Sequence, residues 1–443
     1  MRATASLVLI FTLLAPNPIT ATAMQPSTTP QALAALADAT DVAARRQGAL
    51  WLARSGTMLE IPALVEALRD RDPYVRAFAE SAMWQIWSRS GDAETDRLFA
   101  IGLEQMNARD AAAAIETFTR VIERRPDFAE GWNKRATLYF LIGEHRKSLA
   151  DCDEVLKRNP HHFGALSGTG MNYVELDQLG KAIEHFERAL RVNPNMRQVE
   201  QSIETLKEIL AERQREVAVI EALKKISSPT VANAIETFNV RPRSAGFVSA
   251  EIRALFPELG PLVGYAVTAL IRAEPAPRDG HRASTFAWWD YVLSVPAPRV
   301  IVVHDLDDPR GQGAQWGEVQ ANIHRALGVA GVVTDGSVRD LDEVRRLGFQ
   351  FAAARVSVSH AYVHMVDFGL PVKVGGLWVN PGDLIHADQH GVVTIPAEVA
   401  ERVPEAVVKI EADERRIITL CQSPGFSAEK LKALYREIRP GTY

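Results

Sequence analysis

Residues 317 to 340 read GEVQANIHRALGVAGVVTDGSVRD. The stretch holds two glycine-led turns, a helix and a short apolar strand, and it closes on an arginine beside an aspartate. Its pattern predicts a helix from Glu318 to about Leu327, stopped by Gly328 in a left-handed cap. Val332 and Val333 read as a buried strand, and Asp335-Gly336 as the turn that ends it. Ser337 is expected to open the next helix, whose apolar positions Leu341, Val344 and Leu347 share one face before Gly348. Strands alternating with helices in this way imply an α/β domain.

A glycine at a helix start lets backbone N–H groups approach an anion closely, and those donors lack partners within the helix. Gly317, Glu318 and Val319 could therefore hold a carboxylate or enolate oxygen. Arg339 adds a planar, permanently charged fork that suits a carboxylate. Asp340 adds a hard oxygen ligand of the kind Mg²⁺ or Mn²⁺ prefers. As neighbours in the first turn of a helix, their side chains are expected to diverge, Arg339 toward substrate and Asp340 toward metal. A plainer reading stands beside this one. Ser337-x-x-Asp340 is also a capping box, which satisfies helix-end donors and needs no metal.

Gly317-Glu318, Ala326, Gly331-Val332-Val333, Gly336 and Arg339-Asp340 together resemble the signature of the RraA-like family. That family includes class II 4-hydroxy-4-methyl-2-oxoglutarate/4-carboxy-4-hydroxy-2-oxoadipate aldolases and the regulator of ribonuclease activity A. A second block comes after it in family order: Gly375-Gly376, Val379-x-Pro381-Gly382-Asp383-x-Ile385, Ala387-Asp388 and Gly391-Val392. The resemblance covers roughly residues 222 to 443. It implies a swivelling β/β/α sandwich assembled as a homotrimer or homohexamer. It also implies a divalent-metal-dependent lyase acting on a 2-oxo acid, by retro-aldol cleavage or decarboxylation through a pyruvate-type enolate. In such relatives a glutamate near the C-terminus of a neighbouring subunit completes the site, and Glu411 and Glu414 lie in the matching segment.

The histidines add further candidates. His360 and His364 sit four apart, which on a helix would place both on one face for a transition metal. Val356-Ser357-Val358 before them reads as a strand, so an extended segment is the competing reading. A proton donor at His364 and a substrate-orienting role at His360 then take precedence over a metal pair. His324, one helix turn past Gln320, could line the same pocket.

The remainder of the chain fixes the setting. At 443 residues, two or three domains are expected. A net charge of −5 argues against a nucleic-acid-binding surface. Arg2, the apolar run Ala5 to Ala15 and the small residues of Ala21-Thr22-Ala23 read as a signal peptide over 1–23, cut after Ala23. Export to the periplasm or beyond is the expectation, with no membrane span, since no later apolar run reaches about 18 residues. Cys152 and Cys421 fall in different domains and make no disulfide framework.

Residues 31–92 read as a HEAT-like helical region, with Asp70-Arg71-Asp72-Pro73 as a turn between helices. Residues 95–215 carry a true repeat. Pro126, Pro160 and Pro194 are 34 apart (160 − 126 = 34; 194 − 160 = 34), and the same frame aligns Ala114, Ser148 and Ala182, then Phe118, Cys152 and Phe186. That period resembles the tetratricopeptide (TPR) pattern, three repeats closed by a capping helix. The resemblance implies a protein or peptide partner. The expected protein is thus multidomain: all-α repeats (HEAT-like plus TPR solenoid), then an α/β RraA-like domain over 222–443. A second functional reading, a non-catalytic RraA-like regulator or oligomeric scaffold whose repeats recruit a partner, uses the same architecture.

Overall fold

The computed structural model describes residues 25–249, 251–277 and 283–439, so the predicted signal peptide and His281 lie outside the described residues. The chain divides into two compact units, one ending at Ala211 and one beginning at Glu212.

The first unit is helical throughout. It opens with α1 (Thr29–Leu36), α2 (Val42–Ser55), α3 (Ile61–Ala67) and α4 (Pro73–Trp87). Asp72 caps α4 by accepting from Tyr74 and Val75 N–H, and Pro73 sits at the first helical position, where its missing donor costs nothing. Arg45 and Arg46 of α2 grip Asp70 and Asp72, which pins that turn against the preceding helix.

Three helix pairs come next: α5 (Ala93–Asn107) with α6 (Ala111–Arg124), α7 (Ala129–Leu141) with α8 (His145–Arg158), and α9 (Phe163–Glu175) with α10 (Leu179–Val192). Helix α11 (Arg197–Leu223) extends beyond them. The second helices begin at 111, 145 and 179, again 34 apart (145 − 111 = 34; 179 − 145 = 34). Small residues explain how each pair closes. A Cβ on Gly102 would lie 2.7 Å from the Phe118 ring, and one on Gly170 would lie 2.6 Å from Phe186. The middle repeat inverts the sizes, with Ala136 at the glycine position and the buried Cys152 at the phenylalanine position. Burial pushes the Cys152 thiol up to about 12, so it packs as a small hydrophobe.

The second unit begins within α11 and continues through α12 (Ser228–Glu236) to a nine-stranded mixed sheet. Its strands are β1 (Arg253–Ala254), β2 (Leu262–Arg272), β3 (Arg299–Asp305), β4 (Ala314–Trp316), β5 (Val329–Val338), β6 (Gln350–Val356) and β7 (His364–Phe368), with β10 (Leu384–Asp388) and β11 (Gly391–Ile395) beyond the separate hairpin of β8 (Val372–Val374) and β9 (Leu377–Val379). The order is β1-β6-β5-β3-β2-β10-β11, with β4 beside β5 and β7 beside β2. Strands β2, β3, β5 and β6 run parallel, and β4 joins β5 in the same sense.

Alternation along β2 sends Val267, Ala269 and Ile271 to one face and Ala266 to the other. The first face packs under α13 (Thr285–Ser294), α14 (Glu318–Ala326) and α15 (Leu341–Leu347), through Trp288, Ala321 and Val344. The second packs under the β8–β9 hairpin through Val372, Val374, Leu377 and Val379. Helices, sheet and hairpin are the three layers of a β/β/α sandwich. Helices α16 (Val403–Gln422) and α17 (Ala428–Ile438) close the chain, α16 packing on α12 and β11 through Val403 and Val407. Among the described residues no helix is long and apolar enough to cross a membrane.

Two expectations for the decisive stretch are corrected. Strand β5 does not end at Asp335-Gly336 but runs to Val338, because β4 and β6 both supply partners to its last residues. Ser337 is therefore a strand residue whose hydroxyl donates to the Gly311 carbonyl, and it caps no helix.

The glycine-against-ring packing gives a test with opposite signs. Gly170→Val should overpack the Phe186 contact and destabilise the helical unit by about 1–3 kcal/mol. Gly180→Ala, where an added Cβ meets nothing within 4 Å, should be neutral or mildly stabilising. Urea denaturation followed by far-ultraviolet circular dichroism measures both.

Candidate active site

Parallel strands that end side by side deliver their next residues to one edge of the sheet, where open α/β folds bind ligands. Here Trp316 of β4 is in register with Val338 of β5. The chain leaves β4 through Gly317 into α14, and leaves β5 through Arg339 and Asp340 into α15. The two junctions are thereby neighbours. Arg339 N–H donates to the Trp316 carbonyl at 2.9 Å, and Glu318 N–H donates to Asp340 Oδ2 at 2.9 Å.

Gly317 is required at this junction. A Cβ there would stand 2.4 Å from Asp340 Oδ2 and 3.0 Å from Arg339 Cγ. Asp340 adopts φ 55° and ψ 46°, a left-handed conformation that costs a non-glycine residue about 1–2 kcal/mol. The Glu318 hydrogen bond helps to hold it there. Asp340 makes no capping hydrogen bond to α15, so the capping-box reading is overturned. The expected divergence of Arg339 and Asp340 within a helical turn is also corrected. Both precede α15, and Arg339 Nε lies 3.7 Å from Asp340 Oδ2.

Three features leave this junction chemically open. Helix α14 has no side-chain cap, so the N–H groups of Val319 and Gln320 stand at its start without a capping acceptor. Arg339 Nε is buried and lacks a hydrogen-bond partner, while the whole side chain is about one-third exposed. The Asp340 side chain is 37% exposed, with only Oδ2 engaged. Among the described residues no group of three His, Cys, Asp or Glu is arranged to hold a metal. One free carboxylate oxygen suits Mg²⁺ or Mn²⁺ that keeps most of its waters, and does not suit a nitrogen- or sulfur-rich zinc site.

The histidines fall elsewhere. Residues 357–363 are not helical, which removes the two-histidine metal face. His360 is exposed, its Nδ1 against the Ala361 carbonyl. His364 begins β7 opposite Arg272, with Nδ1 against the Tyr362 carbonyl. Their Nδ1 atoms are engaged by these carbonyls and not by Arg339 or Asp340. His364 does line a cavity of about 100 Å³ with Thr285, Trp288, Trp289, Gln315 and Gln320, next to the first turn of α14. His324 does not reach that cavity. It is buried between α13 and α14, where it accepts from Trp288 Nε1 at 2.8 Å while its Nδ1 donates to the Gln320 carbonyl at 2.8 Å.

A second network escaped the sequence reading. Asp335 accepts from the His304 ring at 2.7 Å and from Asp305 N–H at 2.9 Å. Asp305 in turn accepts from Asp307 and Gly311 N–H, and Asp307 from Ala273 N–H. Burial pushes the Asp305 carboxyl up from its ordinary value. The network anchors the loop that leads from β3 to β4 and so sets where Gly317 falls. The local sequence around Asp335, Thr334-Asp335-Gly336-Ser337, reads as a turn and gives no sign of this network.

Burial pushes the His324 ring down to about 4, from an ordinary 6.5. Unfolded His324 takes up its proton first, so the stability it contributes is fully present above about pH 6.5 and is lost as pH falls toward 4. His324→Gln should flatten that part of the pH–stability curve, compared with wild type by urea denaturation across the range.

Residues 228–394 match the family model described as RraA-like, Aldolase/RraA, and residues 169–196 match a tetratricopeptide repeat model. A TPR repeat-containing protein of Rhizobium etli is 34% identical over 145 residues, 32% of this chain and 70% of that protein. A candidate 4-hydroxy-4-methyl-2-oxoglutarate aldolase of Halalkalibacterium halodurans is 31% identical over 99 residues, 22% of this chain; the chain spans less than half of that relative, 47%. The crystal structure of an unusual member of the RNase ES inhibitor RraA family from Streptomyces coelicolor superposes with a TM-score of 0.37 and 24% identity, over 45% of this chain and 94% of that one. This chain is a tetratricopeptide-repeat protein that carries an RraA-like domain over residues 228–394.

Proposed function

We propose that the RraA-like half is a divalent-metal-dependent lyase that cleaves or decarboxylates a 2-oxo acid, and that the repeats bring a protein partner to it. The observation that carries this reading is the Gly317–Asp340 junction. It leaves a guanidinium whose Nε makes no hydrogen bond, uncapped helix-start amides and a carboxylate with only Oδ2 engaged together at the end of parallel strands. Arg339 holds the substrate carboxylate through its planar fork. The Val319 and Gln320 amides face the oxygen on which negative charge develops, in the manner of an oxyanion hole. Glu318, exposed in the same helical turn, exchanges the proton at the reacting carbon. Asp340 is the residue that would hold Mg²⁺ or Mn²⁺, and such a cation supplies Lewis-acid charge when bound.

Export belongs to this reading, resting on residues 1–23. So does assembly as a trimer or hexamer in which Glu411 or Glu414 approaches a neighbouring subunit's site.

The test is pyruvate release from oxaloacetate and from 4-hydroxy-4-methyl-2-oxoglutarate, with and without Mn²⁺. Arg339→Lys should lower kcat/KM by about 100-fold, since a point charge replaces a fork. Gly317→Ala should be comparably harmful, because its methyl would displace Asp340. Full turnover in Arg339→Lys would overturn the assigned role. No release from either acid, together with no cation binding, would turn the reading to an oligomeric scaffold.

A further inference from the structure

The cavity beside the first turn of α14 contains an acceptor that the protein leaves unused. His364 is 5% exposed, and its Nδ1 lies 2.9 Å from the Tyr362 carbonyl. A carbonyl oxygen only accepts, so Nδ1 carries the ring proton and Nε2 of the neutral ring is a lone-pair acceptor. Among the described residues no donor reaches Nε2. With Nδ1 turned to the backbone, Nε2 is the edge that His364 offers to the cavity.

The other walls are polar and uncharged. Gln315 comes from β4, Gln320 from α14 and Thr285 from the start of α13, with Trp288 and Trp289 beside them. Among the described residues neither glutamine amide nor the threonine hydroxyl is hydrogen-bonded, and no Arg, Lys, Asp or Glu lines the cavity. Arg272 stands opposite His364 in the β2–β7 pairing, but its Nε faces Asp307, at 3.9 Å. The cavity adjoins the Gly317–Asp340 junction through two of its residues. Gln320 N–H is one of the uncapped amides of α14, and Gln315 precedes Trp316, whose carbonyl takes the Arg339 N–H.

Bonding and charge select what fits. A carboxylate brings only acceptors to an acceptor, and it finds no cation to offset its lost hydration. A methyl group leaves Nε2 and both glutamine amides without partners. A hydroxyl donates to Nε2 and accepts from an amide. About 100 Å³ holds roughly three water-sized groups, enough for a short hydroxylated arm.

Resting on the lyase reading above, we propose that this cavity receives the end of the substrate remote from its 2-oxo acid. That end is an uncharged, hydroxyl-bearing arm and not a second carboxylate, and His364 is the residue that selects it. The probes are three 4-hydroxy-2-oxo acids carrying hydroxymethyl, methyl or carboxylate on C4: 4,5-dihydroxy-2-oxopentanoate, 4-hydroxy-2-oxopentanoate and 4-hydroxy-2-oxoglutarate. In each the C3–C4 bond breaks, the C4 hydroxyl loses its proton as the aldehyde forms, and C3 takes up a proton to give pyruvate. The aldehydes are glycolaldehyde, acetaldehyde and glyoxylate.

The full chain with Mn²⁺ should show a kcat/KM for the hydroxymethyl acid about tenfold or more above that of either other acid. His364→Leu should bring the hydroxymethyl and methyl acids within about twofold of each other. His364→Gln, whose amide oxygen replaces Nε2 as acceptor, should keep most of the preference. If His364→Leu does not fold, Gln315→Met replaces it; loss of the preference there supports the inference and an unchanged preference overturns it. Equal turnover of the three acids, or preference for the carboxylate, overturns the arm assignment and leaves the lyase reading intact. If none is cleaved, the lyase reading fails separately, and quenching of tryptophan fluorescence decides the inference. Selective binding of the hydroxymethyl acid, lost in His364→Leu, supports it, and no selective binding overturns it.

Discussion

The pairing of β4 with the last residues of β5 controls the geometry of the RraA-like unit. It is brief, with Ala314 against Ser337 and Trp316 against Val338. Yet together with β6 it carries β5 past the point where β3 has stopped pairing with it, at Thr334. It also brings two chain exits together at one edge. Without it, Gly317 and Asp340 would end separate loops, and loop geometry would not hold a carboxylate within 2.9 Å of a particular amide. Because β4 is only three residues long, its position must be imposed from outside. The Asp305–Asp307–Asp335 network does this, giving the backbone amides of the preceding loop anionic acceptors. Buried carboxylates are tolerated where such bonds are complete, and a partly satisfied network would be worse than an apolar one.

That dependence explains which features could be read from the sequence. The 34-residue period was legible because each repeat buries the same positions against its neighbour, so Pro126, Pro160 and Pro194 and the small residues at 102, 136 and 170 recur in register. Helix α14 was legible from its glycine-bounded pattern, and Gly328 does take a positive φ of 79°. The extent of β5 was not. Asp-Gly is a strong local turn signal. It was overridden by partners remote in sequence: His304 and Asp305 satisfy Asp335, and β4 pairs with Ser337 and Val338. The false capping box at Ser337 failed for the same reason, since a local motif carries no information about a strand that arrives from about 20 residues upstream.

The site residues divide along this line too. Gly317, Glu318, Val319, Arg339 and Asp340 come together because two adjacent strand exits carry them. His360 and His364 were singled out by spacing alone, and spacing has meaning only once the secondary structure is known. In a loop leading into a strand, four residues no longer make one face. His324 illustrates the opposite error. Its place one turn after Gln320 suggested a pocket, but both its ring nitrogens are engaged, by Trp288 and by the Gln320 carbonyl. Its work is to clamp α13 to α14, and through α14 to steady the helix start that carries the Val319 and Gln320 amides.

The two units use buried charge in different ways. Around Asp305 the carboxylates accept mainly from backbone amides, so they fix the path of the chain. Around Glu130 the partners are side chains, Lys134, Asn133 and His162, and the His162 bond orients a ring. A ring oriented in this way is useful only if something lies against it, and Trp87 does. The desolvation cost of Glu130 would be avoided by an apolar residue at that position, which would pack beneath α4 at least as well. What an apolar residue could not do is hold the imidazole flat and in one tautomer. Buried polar groups of this kind favour one geometry at some cost in stability, and here the geometry is that of the surface on which α4 lies.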